Sequence, residues 1–520
     1  MIRRKGLALG LMLIGSWTSM AETLRIVHFF EEGPGPFYGL MSVCDAYGNM
    51  MEKDDVTFQF ESLSMEEHAE GFSSLLTGPN PPDLVQCFSN QAIDYGARLG
   101  QVMRLTAYLD RENRYDPERP WVDLFEAGLL EQSRDSVFGD VWSIPFALAT
   151  ERILVNLSLL ERCGLSLPEN WSSMIHCHQV LLEQGHTPCV MVGCPGFGPS
   201  EWALVTLQSM IWQNRVEEWD KLDRNGRVDR VEMVAAILRG DISLEDSQIL
   251  EPLRLLHTWA RFWQEDFEQE TMESGLERFL QGQTGFFPNI MTQWNRIHAR
   301  VDGAFVIAAI PMPRLDKADS IYAEGRYYEP AISPGLVLAV PASLEGQRDR
   351  LIRIMDFLQF LSSQRGQEIM VSTAGLLPAT SGVQIPSELD GFRRRISGEY
   401  PIPNPFTLFA GSKERWLSEG VRDRIFRGEW DPSAIHEEWS PILQRQAQLF
   451  IPQEIQILHR QLAYHRGAYA LMEMRHRVVQ SAEDEVLSAL IENTMRRSWW
   501  RLEQKQDLLG YLKELQGKYP

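Results

Sequence analysis

Positive charge is scarce in this chain. Against 71 Asp and Glu stand 50 Lys and Arg, a formal net charge of −21 over 520 residues. That argues against nucleic-acid binding, because phosphate contacts need concentrated Lys and Arg. It argues equally against capturing an anionic ligand by long-range attraction. Long apolar runs are missing too. The run Gly6 to Gly15 is too short to span a bilayer comfortably, and no later stretch is long and apolar enough to do so. Cysteine is sparse, six in all, and the residue immediately after Ala21 is Glu22 and not Cys, so there is no thiol for lipid attachment at that place. No internal repeat and no hydrolase motif is present.

What is there begins with an export pattern. Arg3, Arg4 and Lys5 precede the short apolar run, and Ser19-Met20-Ala21 follows as a small-x-small cleavage site. The expectation is a mature chain starting at Glu22, soluble and exported, most simply into a periplasm. At 520 residues the chain exceeds the size at which a single core keeps growing, so two lobes are expected.

From Leu24 the segment LRIVHFFEE reads as a first buried strand, broken by Gly33-Pro34-Gly35-Pro36. Residues 37 to 52 have helical apolar spacing (Phe37, Leu40, Val43, Tyr47, Met50), and VTFQFES, 56 to 62, alternates as a second strand. After a helical stretch, Pro81-Pro82-Asp83 opens a third strand, LVQCF. Repeated βα units predict a mostly parallel sheet whose ligands bind beyond the carboxyl ends of the strands, where the loops after Phe29 and Phe88 lie.

The stretch 141 to 171 organises the rest. Ile144-Pro145-Phe146 leads through the polar step Thr150-Glu151-Arg152 into a strand, Ile153-Leu154-Val155. A helix follows Asn156 and ends at Gly164, a residue suited to the left-handed conformation past a helix end. Pro168-Glu169-Asn170-Trp171 opens another helix. Beyond it, TPCVMVGCPGFGPSEWALVTLQSMIW reads as strand, loop and helix. RFLQGQTGFFPNIMTQW, VIAAIPMP, SPGLVLAVPAS and LIRIMDFLQFLSS with STAGLLPA complete the body.

This ordered combination resembles the family 1 extracellular solute-binding proteins, which serve ABC importers of sugars and whose familiar member binds maltodextrins. LLTGPNPPDLVQCFSN resembles that family's strand preceding the ligand cleft. The resemblance covers roughly residues 24 to 445. It implies an α/β, two-lobed periplasmic-binding-protein type II-like fold with a C-terminal helical extension. One lobe would hold 22–147 plus 338–390 and the other 148–337 plus 391–450, with three crossings near 148, 338 and 391. The extension, 451–520, departs from the family. Its stripe of Leu487, Ile491, Met495, Leu502, Leu509 and Leu512 is expected to pack on the second lobe, or else to form a docking surface.

Sugar recognition needs flat apolar faces and groups that pair hydroxyls. The resemblance places Trp202 and Trp294 as stacking platforms, though most of fifteen Trp belong in cores. Glu31, Ser89, Asn90 and Glu151, with Phe88 beside them, complete the expected ligand-binding set. The expected function is capture of a mono- or oligosaccharide for ABC permease subunits by a protein that is not an enzyme, is monomeric and needs no cofactor. Two alternatives are a ligand-binding partner of a membrane sensor and a secreted carbohydrate-active enzyme using two carboxylates such as Glu31 and Glu151.

Two further motifs invite metal readings. KLDRNGRVDRVE, 221 to 232, resembles a calcium-binding EF-hand loop through Asp223, Asn225, Asp229 and Glu232, but Lys221 stands where the first carboxylate belongs. A plain Asn-Gly turn explains the same residues. His176-Cys177-His178 invites zinc, yet adjacent helical residues point apart. Cys163, Cys177, Cys189 and Cys194 are clustered. Cys189 and Cys194 would lie about 16 Å apart on an extended strand, so a disulfide from Cys177 to either is the expected pairing.

Overall fold

The computed structural model describes residues 22–30, 33, 35–51, 56–135, 139–193, 199–222, 224–329, 335–395, 402–405, 424–481 and 485–519. The export segment, Glu31, Cys194 and Asp223 lie outside the described residues, as do the side chains of Leu487 and Ile491.

The first lobe is built on a five-stranded sheet in the order β2-β1-β3-β11-β6. β1 (Glu22–His28) pairs in parallel with β2 (Val56–Ser62) and with β3 (Leu84–Cys87). The connections are helices α1 (Pro36–Met50) and α2 (Met65–Thr77). In β1 the side chains of Leu24, Ile26 and Val27 are all buried, as a strand covered on both faces requires. β2 lies at the sheet edge, where exposed Thr57 and Gln59 alternate with Val56, Phe58 and Phe60. α2 starts at a capping box in which Ser64 and Glu67 exchange side-chain to backbone bonds.

The expected mostly parallel arrangement stops there. β6 (Ile144–Pro145) and β11 (Val337–Ala339) complete the sheet, and β11 runs antiparallel to both of its neighbours. β4 (Glu112–Asn113) and β5 (Asp116–Pro120) form a separate small hairpin. The second sheet, β10-β7-β9-β8, is mixed as well. β7 (Glu151–Asn156) is antiparallel to β9 (Thr284–Ile290) and to β10 (Ile307–Ile310), while β8 (Thr187–Cys189) is parallel to β9. The reason is topological. A chain that passes from one sheet to the other and back brings its returning strand in from the opposite end, and only antiparallel pairing accommodates that direction.

Local signals around β7 act as chain punctuation. The Asn156 side chain accepts from the Leu159 N–H at 2.9 Å and caps the following helix, Gly164 sits at φ 72°, and Asn170 caps helix α3 (Trp171–Glu183). One face of the second sheet, with Ile153, Val155 and Phe286, packs on α3, α4 (Pro199–Trp212), α5 (Arg230–Arg239) and α6 (Ser247–Ala260) in one apolar cluster. The other face, with Leu154 and Phe287, packs on α7 (Met272–Leu280) and α8 (Trp294–Val301). These helices share a continuous cluster with α9 (Arg348–Leu361) and α10 (Gln364–Ala374) of the first lobe. Gly375 marks that junction. It ends α10 at φ 65°, and a Cβ there would lie 2.1 Å from Asn295 Oδ1, so both its conformation and its closeness to α8 require glycine.

The chain ends in two long helices, α11 (Pro432–Ser481) and α12 (Glu485–Lys518). Leu502, Leu509 and Leu512 are buried in the second lobe's cluster, joined by Leu443, Phe450, Leu458 and Leu462 of α11. This C-terminal half of the stripe therefore packs on the second lobe. The polar residues beside it reach further, to the first lobe: Gln461 Nε2 donates to the carbonyl of Ala97 at 2.7 Å.

Candidate functional site

Where β7 begins, the chain has just passed from the first sheet to the second. Thr150, Glu151 and Arg152 there line a crevice closed by Trp202 of α4, Pro311 and Met312 after β10, and Tyr328 and Glu329. Its free volume is about 10 Å³, room for one water, so the surrounding side chains close on one another.

The electrostatics are dense for so small a space. Arg152 and Glu329 form an ion pair at 3.1 Å with side chains 3% and 2% exposed. The guanidinium also donates to the carbonyls of Glu151, Gly391, Phe392 and Arg393 at 2.9 to 3.0 Å. Desolvation pulls the Arg152 pKa down to about 10, with Glu329 pulling it back up. Loss of solvent holds the Glu151 carboxyl well above the usual carboxylate range; Arg152 lowers it and Glu201 raises it further. Although part of its surface is open, Glu151 has little water around it. Two carboxylates, Glu151 and Glu201, thus influence each other beside half-buried Trp202. The arrangement offers an aromatic face, a phenol and carboxyl oxygens that can pair hydroxyls.

The structure brings Glu151 and Trp202 together and puts the other expected residues elsewhere. Phe88 caps the carboxyl end of β3 in the first lobe and stacks on Phe29, with centroids 5.2 Å apart at 25°. Gly335 is pressed between the two, its missing Cβ 3.1 Å from Phe29 and 3.4 Å from Phe88. Gln86 holds this wall, accepting from Phe29 N–H at 2.8 Å and donating to the Gly335 carbonyl at 2.5 Å. The Ser89 hydroxyl oxygen is buried with no hydrogen-bond partner among the described residues. Asn90 is exposed and its side chain accepts from Gln91 N–H.

Trp294 is only 7% exposed. It packs edge-on against Phe392 at 5.0 Å and lines a different concavity, about 680 Å³, with His298, Phe305 and Ile307. A second large concavity, about 750 Å³ between α6 and residues 426–430, is lined by Trp263, Phe426 and Trp430. Neither hollow shares a lining residue with the crossover crevice.

Sequence reasoning missed Arg152, Glu201, Tyr328 and Glu329. Arg152 and Glu201 are immediate neighbours of Glu151 and Trp202, and that adjacency was the available signal. Tyr328 and Glu329 come from the run Arg326-Tyr327-Tyr328-Glu329, whose position before the return strand carried no pattern of its own.

The EF-hand-like residues serve as a helix cap. Asp229 Oδ1 accepts from Glu232 N–H at 2.8 Å, and Glu232 accepts from the N–H groups of Asp229 at 3.1 Å and Leu222 at 2.9 Å. Asn225 accepts from Arg227 N–H, and buried Asp220 accepts from Gly226 N–H at 2.6 Å. Desolvation, then Asp229, push Glu232 up to about 8. A carboxyl raised above its unfolded value stabilises the fold fully below about pH 4.5 and loses that contribution as pH climbs through about 8. Glu232→Gln should accordingly gain in melting temperature relative to the wild type between about pH 5 and pH 9. A difference that stays constant across that range would show that Glu232 does not titrate there.

His178 is buried, bonded through Nδ1 to the Met174 carbonyl at 2.7 Å and through Nε2 to Trp259 Nε1–H at 3.3 Å. Desolvation lowers it to about 4. It is a neutral core imidazole, while His176 is exposed on another face of α3. Among the described residues no three His, Cys, Asp or Glu are grouped to hold a metal. Of the two expected pairings, Cys177 with Cys189 does not form: both are free, the first directed at the Ser166 carbonyl at 3.7 Å and the second buried in the sheet, while Cys194 lies outside the described residues. Both thiols are buried in the same cluster of the second lobe, one on a helix and one on a strand.

Similar structures bear on the fold alone. The GacH receptor of Streptomyces glaucescens, solved unliganded and with acarbose, is similar with a TM-score of 0.56 and 14% identity, matching 82% of this chain and 99% of its own. RafE from Streptococcus pneumoniae gives 0.54 and 15%, matching 82% and 98%. A family 1 extracellular solute-binding protein from Bifidobacterium longum subsp. infantis gives 0.53 and 14%, matching 81% and 100%. No family model and no curated protein sequence matches the chain. The fold is that of the two-lobed solute-binding proteins. Among the described residues, no helix is long and apolar enough to cross a membrane.

Proposed function

We propose that this protein captures a carbohydrate between its lobes and delivers it to the permease subunits of an ABC importer, working as an exported, periplasmic monomer released from a signal segment ending at Ala21. The observation that carries the reading is the convergence of Trp202, Glu151, Glu201 and Tyr328 at the first crossing between the sheets. An aromatic face flanked by hydroxyl-pairing groups suits a pyranose, whose apolar C–H side and polar rim need both. The opposite wall would come from Phe29, Phe88, Ser89 and Asn90, with Glu31 following them in the chain. Ser89, with its unpaired buried hydroxyl, supports that assignment. Proteins similar in fold, among them RafE in complex with raffinose, GacH in complex with acarbose and a chitin oligosaccharide binding protein, lend it further support.

Lobe limits of 22–147 plus 338–390 and 148–337 plus 391–450 go with this reading. A thermal-shift screen against mono- and oligosaccharides tests it, since a ligand that binds only the folded state raises the melting temperature. At a hundred times its Kd a sugar adds about 2.7 kcal/mol, and a flat response across the screen would remove carbohydrate from consideration. One observation favours a second reading. A carboxyl raised by burial beside a second carboxyl is also how a glycosidase sets apart its acid and its base. Incubating the protein with the same oligosaccharides and looking for shortened products separates the two.

A further inference from the structure

The solved relatives in fold are matched over 97 to 100% of their own length while covering about four-fifths of this chain. The share left over is close in size to residues 451–520 together with those before Glu22, so the hairpin beyond residue 450 reads as an addition to a fold already complete. How it is attached is informative.

Its hold on the second lobe is broad and apolar. Trp439, Leu443, Phe450, Leu458, Leu502 and Leu512 lie in that lobe's main cluster, and Gln444 Nε2 donates to the Ile237 carbonyl of α5 at 2.8 Å. Arg239 donates to the Tyr511 hydroxyl at 2.7 Å. Its hold on the first lobe is narrow and polar. Gln461 donates to the Ala97 carbonyl, and the Gln461 side-chain oxygen in turn accepts from Nζ of Lys505, whose side chain is fully buried. Asp135 and Asp140 of the first lobe and Glu454 of α11 act on that ammonium, raising its affinity for a proton against the burial that draws its pKa down to about 6. Both aspartates are fixed in the first lobe. Asp135 accepts from Trp142 Nε1–H at 2.9 Å, and Asp140 from the Thr106 hydroxyl at 3.0 Å and Arg104 at 3.3 Å.

A stiff helical pair seated firmly on one lobe and tied by a few polar groups to the other resists rotation between them. We propose that the C-terminal hairpin is an interlobe strap: the Gln461, Lys505, Asp135 and Asp140 cluster holds the lobes in the arrangement that closes the crossover crevice, and separation of the lobes requires that cluster to part. In a rigid-body rotation the narrow attachment gives way first, because the broad one buries far more apolar surface. The strap rests on the two-lobed fold and deepens the reading that the lobes move to admit a solute.

The test needs no sugar, so its outcome is independent of the ligand proposed above. Spin labels at Glu66→Cys on α2 and Glu183→Cys on α3, with Cys163 and Cys194 replaced by Ser, report the distance between lobes by pulsed electron paramagnetic resonance. The full chain should give one narrow distance distribution. Adding Gln461→Ala and Lys505→Gln should broaden it or add a second, longer-distance population. A distribution unchanged in a variant that still unfolds cooperatively overturns the strap. Should the double variant fail to fold, Gln461→Ala alone removes the bond to Ala97 while leaving Lys505 among its carboxylates. The same broadening is expected from it, and an unchanged distribution is equally decisive against the proposal.

Discussion

Replacing Arg152 with Met should lower the unfolding free energy by about 3–5 kcal/mol, the usual cost of breaking a buried ion pair from one side. The argument lies in what the guanidinium leaves behind. Glu329, 2% exposed, would keep a carboxylate in a nearly dry place with its cationic partner gone. The carbonyls of Gly391, Phe392 and Arg393 would each lose a charged donor, and a buried acceptor stripped of its partner costs about 1–3 kcal/mol in its own right. The double variant Arg152→Met with Glu329→Gln should recover part of the loss, because removing both charges takes away the stranded one. Glu329 also accepts from Arg395 N–H at 2.5 Å, a bond the amide oxygen of Gln can keep. Denaturant unfolding of the wild type and both variants provides the measurement. A single-variant cost under about 1 kcal/mol would mean that water reaches Glu329, against its burial.

The same residue explains why the interlobe passage has a definite geometry. Arg152 stands at the start of β7, on the first passage out of the first sheet, and its donors hold the segment 391–393. Gly391 packs so close to β10 that a Cβ would lie 2.8 Å from the Ala309 carbonyl oxygen. Two segments far apart in sequence are therefore stitched by one side chain.

Much of the local structure was legible in the sequence because its causes are local. The alternation in VTFQFES corresponds residue for residue to β2, and the apolar spacing from Phe37 to Met50 lies within α1. Asn156, Gly164 and Asn170 punctuate the chain where their side chains or freedom at positive φ require it. What was not legible depended on partners distant in sequence. β11 is antiparallel because of the route the chain takes back to the first sheet, and no residue in Val337–Ala339 encodes that direction. The reach of the hairpin to the first lobe hangs on Lys505 meeting Asp135 and Asp140, charges that in the sequence look like ordinary solvated ones. Within the site, the step Thr150-Glu151-Arg152 drew attention as a polar crossing. The deep burial of Arg152 follows from Glu329 and the carbonyls of 391–393, which only the folded chain assembles.

Two tryptophans that look equivalent in sequence should respond oppositely to truncation. Trp202 is half-buried beside Glu151, Glu201 and Tyr328, with a face toward the crossover. Trp202→Ala should weaken binding of whichever sugar the screen identifies by about 1–3 kcal/mol, roughly 5- to 150-fold in Kd. Its melting temperature should fall less than that of Trp294→Ala, because the Trp202 ring is only partly buried against the second lobe's cluster. Trp294, by contrast, is 7% exposed and wedged between Phe392 and the apolar cluster shared by α8 and α10. Trp294→Ala should open a cavity there and cost about 3–5 kcal/mol of stability, with any loss of affinity following from a loosened junction between the lobes. Calorimetry of sugar binding alongside thermal unfolding of both variants separates the two roles. If Trp294→Ala kept its full stability and lost the sugar, while Trp202→Ala bound it as before, the recognition surface would lie on the α8 side of the second sheet and the crossover crevice would be structural. The geometry argues for the reverse outcome, because at the crossover an aromatic face lies beside two carboxyls and a phenol.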